Sequence, residues 1–224
     1  MAPSDTFQRD VRLYIYQQFV ETSIAPSTAE TAAALSCAVE DVEAAFQALA
    51  DARHIVLHPG TSMIWMAMPF SNVQTGVTVI SGGRAYYAHS AWGAFGIAAL
   101  LGADSRVFTT CADCGGVLER KISGGAPIDT RGVVHFALPP RQWWDDVGQT
   151  SSTILLFTSD EHVDRWCARQ GIARGAIVSL AQTWALAKRW YEHRLDLDFR
   201  RPTPAEAMAT FASVGLDGPF WTVE

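Results

Sequence analysis

The sequence has little cysteine and no long hydrophobic run. Its 224 residues include four cysteines, too few for the disulfide framework of a small secreted domain, so we expect reduced thiols and a cytoplasmic protein. No apolar stretch approaches the roughly 20 residues of a transmembrane helix, which predicts no membrane partner. Asp5, Arg9 and Asp10 lie where a signal peptide would need its apolar core, so we predict no export.

The first quarter of the chain is also poor in basic side chains. Residues 1–53 contain three arginines and eight acids, a net charge of −5 out of −6 for the chain. Apolar spacing and the Ser27–Glu30 capping box predict three helices, and His58-Pro59-Gly60 predicts a hairpin after them. This order is typical of a winged helix-turn-helix module over residues 1–70. Because DNA affinity depends on Lys and Arg, we expect the module to pack against the chain and to bind no nucleic acid.

The remaining chain, residues 77–224, predicts an α+β domain with a small mixed β-sheet and flanking helices. Short strand patterns surround an apolar helix that begins after Ser90. A continuous apolar run over residues 153–157 predicts a buried strand. Capping boxes that begin at Ser179 and Thr203 predict two C-terminal helices. No internal repeat divides this part of the chain.

One stretch of this domain carries a family resemblance. Residues 86–102 read Y-Y-A-H-S-A-W-G-A-F-G-I-A-A-L-L-G, which resembles the active-site helix of the alkylmercury lyases, roughly Y-A-x-C-A-W-D-A-L-G-I-P-A-L-L-G. Similar segments follow at residues 132–136, 143–146, 150–157 and 161–167. The resemblance covers about the last two-thirds of the chain, with several independent motifs. It implies the fold of that family, whose members also carry a winged-helix module that does not bind DNA.

The catalytic positions of that family differ in this chain. Its two catalytic cysteines match Ser90 and Ser151, and its acidic proton donor matches Gly93, whereas Cys111 matches a retained non-catalytic cysteine. The family reaction needs two thiolates on a soft metal and an acid that protonates the leaving carbanion. A serine hydroxyl ionises far above the thiol value of about 8.5, and glycine has no proton to give. We therefore predict no cleavage of carbon–mercury bonds.

Three residues are candidates for catalysis in a reused pocket: Ser90, Ser151 and Asp145. Ser90 fits a nucleophile or, more often for a serine at this place, a helix cap. If the resemblance holds, Ser90 and Ser151 face one cavity and hydrogen-bond a polar ligand. Asp145 follows two tryptophans and reads either as a base or as part of a solvated turn.

Six further residues are candidates for substrate binding: His89, Trp92, Gly93, His135, Arg141 and Trp143. His89 is a poor base for Ser90, because adjacent residues of a helix or strand do not face each other. His135 lies in a predicted strand, where a satisfied core histidine is the alternative. Arg141 is suited to an anionic group and equally to a surface position.

The Cys111-x-x-Cys114 motif is half of a zinc site by its spacing. A structural site needs four ligands, and the sequence has no second pair, since Cys37 and Cys167 are isolated. A redox role is disfavoured because the motif does not open a helix in a βαβ unit. We interpret it as a tight turn between strands and predict no metal and no cofactor.

Two functions from different classes stay open. The first is an enzyme that carries out elimination or intramolecular leaving-group displacement on a small polar molecule, in specialised metabolism. The second is a catalytically silent ligand-binding protein or a partner subunit, with another protein or a second copy as partner. The first is favoured because the pocket positions became small or polar. A deep cavity would support it, whereas a collapsed cavity beside an apolar patch would support the second.

Overall fold

The computed structural model describes residues 3–224, and α-helices alternate with short strands through it. The helices are α1 (Asp5–Thr22), α2 (Thr28–Leu35), α3 (Val39–Asp51), α4 (Ala91–Leu101), α5 (Val147–Thr153), α6 (Asp160–Gln170), α7 (Leu180–Tyr191) and α8 (Pro204–Ala212). No helix in this described part is both long and apolar enough to span a bilayer.

The strands form two sheets and confirm the predicted α+β class. They are β1 (Val56–Leu57), β2 (Ile64–Ala67), β3 (Phe70–Ser71), β4 (Thr78–Ser81), β5 (Arg84–Ala88), β6 (Ser105–Thr110), β7 (Val117–Ser123), β8 (Ala126–Pro127), β9 (Val133–Phe136), β10 (Leu155–Phe157) and β11 (Ala176–Ser179). One sheet has the order β1-β2-β3-β5-β4-β6-β7-β8, and the other has the order β10-β9-β11.

These sheets differ from the small mixed sheet predicted from the sequence. Every strand pair between residues 3 and 224 is antiparallel, and the larger sheet has eight strands. Short turns join β4 to β5 and β6 to β7, and two strands joined by a short turn run in opposite directions and pair antiparallel. Of the strand predicted over residues 153–157, only Leu155–Phe157 forms. Thr153 instead ends helix α5, which is capped at its start by Asp146.

The N-terminal helices form as the sequence predicts. The Ser27–Glu30 capping box is present, and the three helices pack on one another. The hairpin β1–β2 continues through β3 into the eight-stranded sheet. The hairpin therefore belongs to the same sheet as β4–β8. The winged-helix interpretation and the boundary between residues 1–70 and 77–224 stay predictions.

Helix α4 lies in the hydrophobic core of the protein. Its side chains from Ala91 to Ala98 are buried on all sides of the helix, as expected for a uniformly apolar helix. It packs against β4 and β5 on one side and against α7 on the other. A side chain at Gly96 would collide with the ring of Tyr191, so glycine permits the close approach of α4 and α7.

Candidate active site

A small cavity lies between α4, α5 and α7. Its volume is about 40 Å³, enough for a few atoms and well below the roughly 300 Å³ of a common ligand pocket. We call it the inner cavity. Its wall is formed by Met68, His89, Trp92, Trp143, Trp144, Val147, Thr150, Ser151, Ile154, Trp190, Tyr191, Arg194 and Arg201.

His89 connects two hydroxyl groups across this cavity. Its Nδ1 lies 3.3 Å from Ser151 Oγ, and its Nε2 lies 3.3 Å from Tyr191 Oη. All three side chains are buried. Ser151 Oγ also lies 3.9 Å from the Met66 sulfur, a weak acceptor. No local pattern predicts this Ser151–His89–Tyr191 chain of hydrogen-bonding groups, because Ser151 is 62 residues and Tyr191 is 102 residues from His89.

The imidazole of His89 occupies the space beside Gly93. A Cβ atom at position 93 would lie 2.7 Å from two ring atoms of His89 and 3.3 Å from the carbonyl oxygen of Pro69. The ring therefore fills the place where a side chain at position 93 would begin. Gly93 and His89 fit each other, and an acid at position 93 is incompatible with this position of the ring.

Burial keeps the side chains of the Ser151–His89–Tyr191 chain uncharged. Burial, together with the charge of Arg194, lowers the pKa of His89 to about 3. Burial raises the pKa of Tyr191 above its usual value. At neutral pH the site therefore holds a neutral imidazole between two neutral hydroxyl groups.

Two arginines on the wall make the inner cavity electropositive. Arg194 is buried, and its guanidinium carbon lies 4.6 Å from the ring centroid of Phe199. Arg201 lies 4.8 Å over the ring of Trp144, and burial lowers its pKa to about 10. Within residues 3–224, no carboxylate lies within 4.0 Å of either guanidinium.

Three buried polar atoms of wall residues also lack partners. They are Trp92 Nε1, Thr150 Oγ1 and Arg194 Nε, and none has a hydrogen-bond partner in the described chain. Two of the three are obligate donors, and the third is a hydroxyl that can donate. An unpaired buried polar group costs about 1–3 kcal/mol, so a ligand that reached these atoms and accepted hydrogen bonds from them would be stabilised.

An outer pocket lies against the same wall. Its volume is about 230 Å³, and it shares Trp143, Trp144, Trp190 and Arg201 with the inner cavity. These four side chains therefore separate the two spaces. A larger groove of about 690 Å³ beside β1 has one titratable side chain, His58, on its wall.

The structure separates the predicted site residues into two groups. His89, Trp92, Trp143 and Ser151 line the inner cavity, and Gly93 lies directly behind the His89 ring. The others, Ser90, His135, Arg141 and Asp145, do not line it.

Each residue of the second group has a local role. Ser90 Oγ accepts a hydrogen bond from Gly93 N at 3.0 Å, which confirms the helix cap. His135 Nε2 lies 2.6 Å from the carbonyl oxygen of Arg174, inside the core. Arg141 donates to Pro219 O and to Thr222 Oγ1. Asp145 is exposed and lines the outer pocket with Arg141.

A second cluster of reactive side chains lies outside both spaces. The potential ligand atoms of Cys111, Cys114 and His162 all lie within 4.8 Å of one another. The search for a second cysteine pair in the sequence missed His162, which is 51 residues from Cys111. The arrangement could hold a metal ion, because two thiolates and an imidazole are common zinc ligands.

Comparisons with known proteins support the fold. The family model described as alkylmercury lyase matches residues 70–192. A solved structure titled "Crystal structure of the mercury-bound form of MerB2" superimposes with a TM-score of 0.68 at 20% identity, covering 84% of this chain and 91% of the other. No curated protein matches the sequence.

Proposed function

Because this chain belongs to the alkylmercury lyase family, we propose that it is a lyase-type enzyme that uses the family's pocket without thiol ligands. Its substrate is a small anionic molecule with a leaving group. The observation that carries the proposal is the inner cavity, in which a neutral histidine lies beside cationic and unpaired donor groups. Mercury chemistry does not fit this cavity, since Ser90, Gly93 and Ser151 provide neither sulfur nor acid.

The cationic side of the cavity supports an anionic substrate. A buried guanidinium without a carboxylate is costly, and a bound anion offsets that cost. Arg194 and Arg201 would contact the anion, and the indole N–H of Trp92 would donate to it. A carboxylate fits these planar donors because guanidinium groups bind it bidentately.

His89 is the proposed proton acceptor. Burial, more than the charge of Arg194, lowers its pKa to about 3, so His89 is neutral and a weak base at neutral pH. An anion bound to Arg194 offsets only the smaller of these two causes, so it raises the pKa of His89 in part.

Ser151 and Tyr191 orient this base. For His89 to accept a proton at Nδ1, its Nε2–H must donate to Tyr191 Oη, which lies 3.3 Å away. Ser151 Oγ, 3.3 Å from Nδ1, then donates to the imidazole and can relay a proton from the substrate. Its role here is proton transfer, in place of the metal ligation done by the matching cysteine of the family.

The reaction that suits this arrangement is elimination or intramolecular displacement. His89 takes a proton from the substrate, the electron pair of the broken bond forms a new bond within the substrate, and the leaving group departs with its own electron pair. No redox cofactor is needed for this balance. A cavity of about 40 Å³ has room for only a few water molecules, and a bound substrate that displaced them would disfavour hydrolysis.

The alternative is a catalytically silent binding protein. The small volume of the inner cavity favours it, because about 40 Å³ leaves little space for a substrate and its leaving group. The same arginines and donors would then hold an anion without turnover. A protein partner or a second copy remains part of this alternative.

The test uses small carboxylates as probes. Acetate should raise the thermal midpoint and change the tryptophan fluorescence, since three tryptophans besides Trp92 line the cavity. Acetamide, which has the same shape without charge, should do neither. With 3-chloropropionate, chloride release and acrylate formation report elimination.

Variants separate the two functions. Arg201→Gln should weaken acetate binding by about 10-fold or more, because a charged hydrogen bond is worth about 1.5–3 kcal/mol. His89→Gln should retain binding and lose turnover. Lys188→Gln, an exposed change on α7, is the control and should alter neither. Binding without chloride release would support a silent ligand-binding protein. Absence of binding would contradict both the enzyme and the ligand-binding protein and would leave only the partner subunit.

A further inference from the structure

The Cys111–Cys114–His162 cluster is built by two elements that are distant in the sequence. Cys111 directly follows β6, and its carbonyl oxygen accepts a hydrogen bond from Gly115 N at 2.8 Å, which closes a tight turn before β7. His162 belongs to the first turn of α6. The turn thus presents both thiols to the start of the helix.

The distances suit a metal ion. Cys111 Sγ lies 3.6 Å from His162 Nδ1. In a tetrahedral zinc site with Zn–S near 2.3 Å and Zn–N near 2.05 Å, the S···N edge is about 3.6 Å. The third ligand atom, Cys114 Sγ, lies within 4.8 Å of both, so a small inward rotation of an exposed side chain completes three ligands.

Cys111 is buried, whereas Cys114 is exposed. The thiolate is the form of cysteine that binds metal. Both thiols must therefore release a proton to solvent when the ion binds.

Asp113 holds α6 against the turn. Its carboxylate makes ion pairs of 2.8 Å each with Arg165 and Arg169 and lies 2.9 Å from His162 Nδ1. A metal ion needs the lone pair of the same Nδ1, so its binding would replace the contact between His162 and Asp113. The two arginine ion pairs of Asp113 do not depend on His162, and they keep the helix close to both thiols.

We propose that Cys111, Cys114 and His162 bind a thiophilic metal ion with a filled d shell, of which Zn²⁺ is the reference case, and leave one coordination position open. Three protein ligands are one short of a structural tetrahedral site. Cys114 is exposed, so the fourth position faces solution and accepts water or an exogenous thiol. This site shares no residue with the inner cavity.

The test measures metal binding by the full chain, reduced and freed of metal. Co²⁺ should bind one equivalent and give thiolate-to-cobalt charge-transfer absorption together with the visible bands of tetrahedral cobalt. Zn²⁺ should displace it. Cys114→Ser should weaken Zn²⁺ binding by about 100-fold or more and remove part of the charge-transfer absorption, since a soft anionic ligand is lost. His162→Gln should weaken binding and retain that absorption.

Two controls keep the test decisive. Cys37→Ser changes a thiol outside the cluster and should leave affinity and spectrum unchanged. Cys114→Ser alters an exposed side chain, so its fold should be intact by circular dichroism. Equal Zn²⁺ affinity in the wild type and Cys114→Ser would overturn the proposal, as would a Cys111–Cys114 disulfide that persists in the presence of reductant and Zn²⁺.

Discussion

The inner cavity and the Cys111–Cys114–His162 cluster have opposite chemistry. The cavity contains no thiol and has a neutral imidazole, hydroxyl groups and two arginines without carboxylate partners. The cluster has two thiols, one of them exposed, and its one carboxylate neighbour is paired with two arginines. In this chain the thiols of the cluster and the polar groups of the inner cavity therefore lie at different places.

The two histidines show how environment sets a role. His89 is buried, has hydroxyl neighbours and has a pKa lowered to about 3. His162 is partly exposed, with a side chain 21% accessible, and lies beside a carboxylate and a thiol. The first is suited to proton transfer in a closed space, and the second to metal ligation at the surface. The residue type alone would not distinguish them.

The largest expected effect is the absence of family chemistry. Incubated with an organomercurial and excess thiol, the wild-type chain should release no inorganic mercury above the thiol-only control. The cavity lacks thiolates, and the buried carboxylate beside the cluster, Asp113, is ion-paired with Arg165 and Arg169 and so has no proton to give. An active family member is the positive control. Mercury should bind the wild type and bind Cys114→Ser more weakly. Release of inorganic mercury that is lost in Cys114→Ser would show that the cluster carries out the family reaction, and would contradict the contrast drawn between the two sites.

The next effect concerns Gly93 and His89. Gly93→Asp should lower the free energy of unfolding by about 2–4 kcal/mol, because its Cβ meets the His89 ring and its carboxylate is buried. His89→Ala in the same chain should recover much of this loss, which urea unfolding of both singles and the double variant would measure. Restoring the family residues at positions 90, 93 and 151 therefore also requires a change at position 89. Additive single effects would contradict the contact.

The smallest expected effect is acid sensitivity. The pKa of His89 is about 3 when folded, against 6.5 when unfolded, so between these values the unfolded chain binds more protons and stability falls as the pH falls. From pH 7 to pH 5 the share of this loss that comes from His89 should be about 2 kcal/mol. Burial also lowers the pKa of His54, to about 4, so His89→Gln should reduce the pH dependence without removing it. His193→Gln, which changes an exposed histidine, should leave it unchanged. If stability depended on pH equally in the wild type and in His89→Gln, His89 would be protonated in the folded protein.

Short-range signals predicted much of this fold. The capping boxes at Ser27, Ser179 and Thr203 all begin helices, because a side chain three residues away satisfies the free backbone groups. The cap at Ser90 follows the same rule. The sequence also shows directly that Ser90, Gly93 and Ser151 provide neither a thiol nor an acid.

Longer-range features needed the tertiary structure. The sequence alone determined the helix starts, the family frame and the replaced catalytic positions, because each depends on neighbouring residues or on residue identity. Only the fold decided that His89 meets Ser151 and fills the space beside Gly93, and that His162 joins the two cysteines. Such contacts join residues many positions apart, and their geometry depends on the packing of whole helices, which no local pattern encodes.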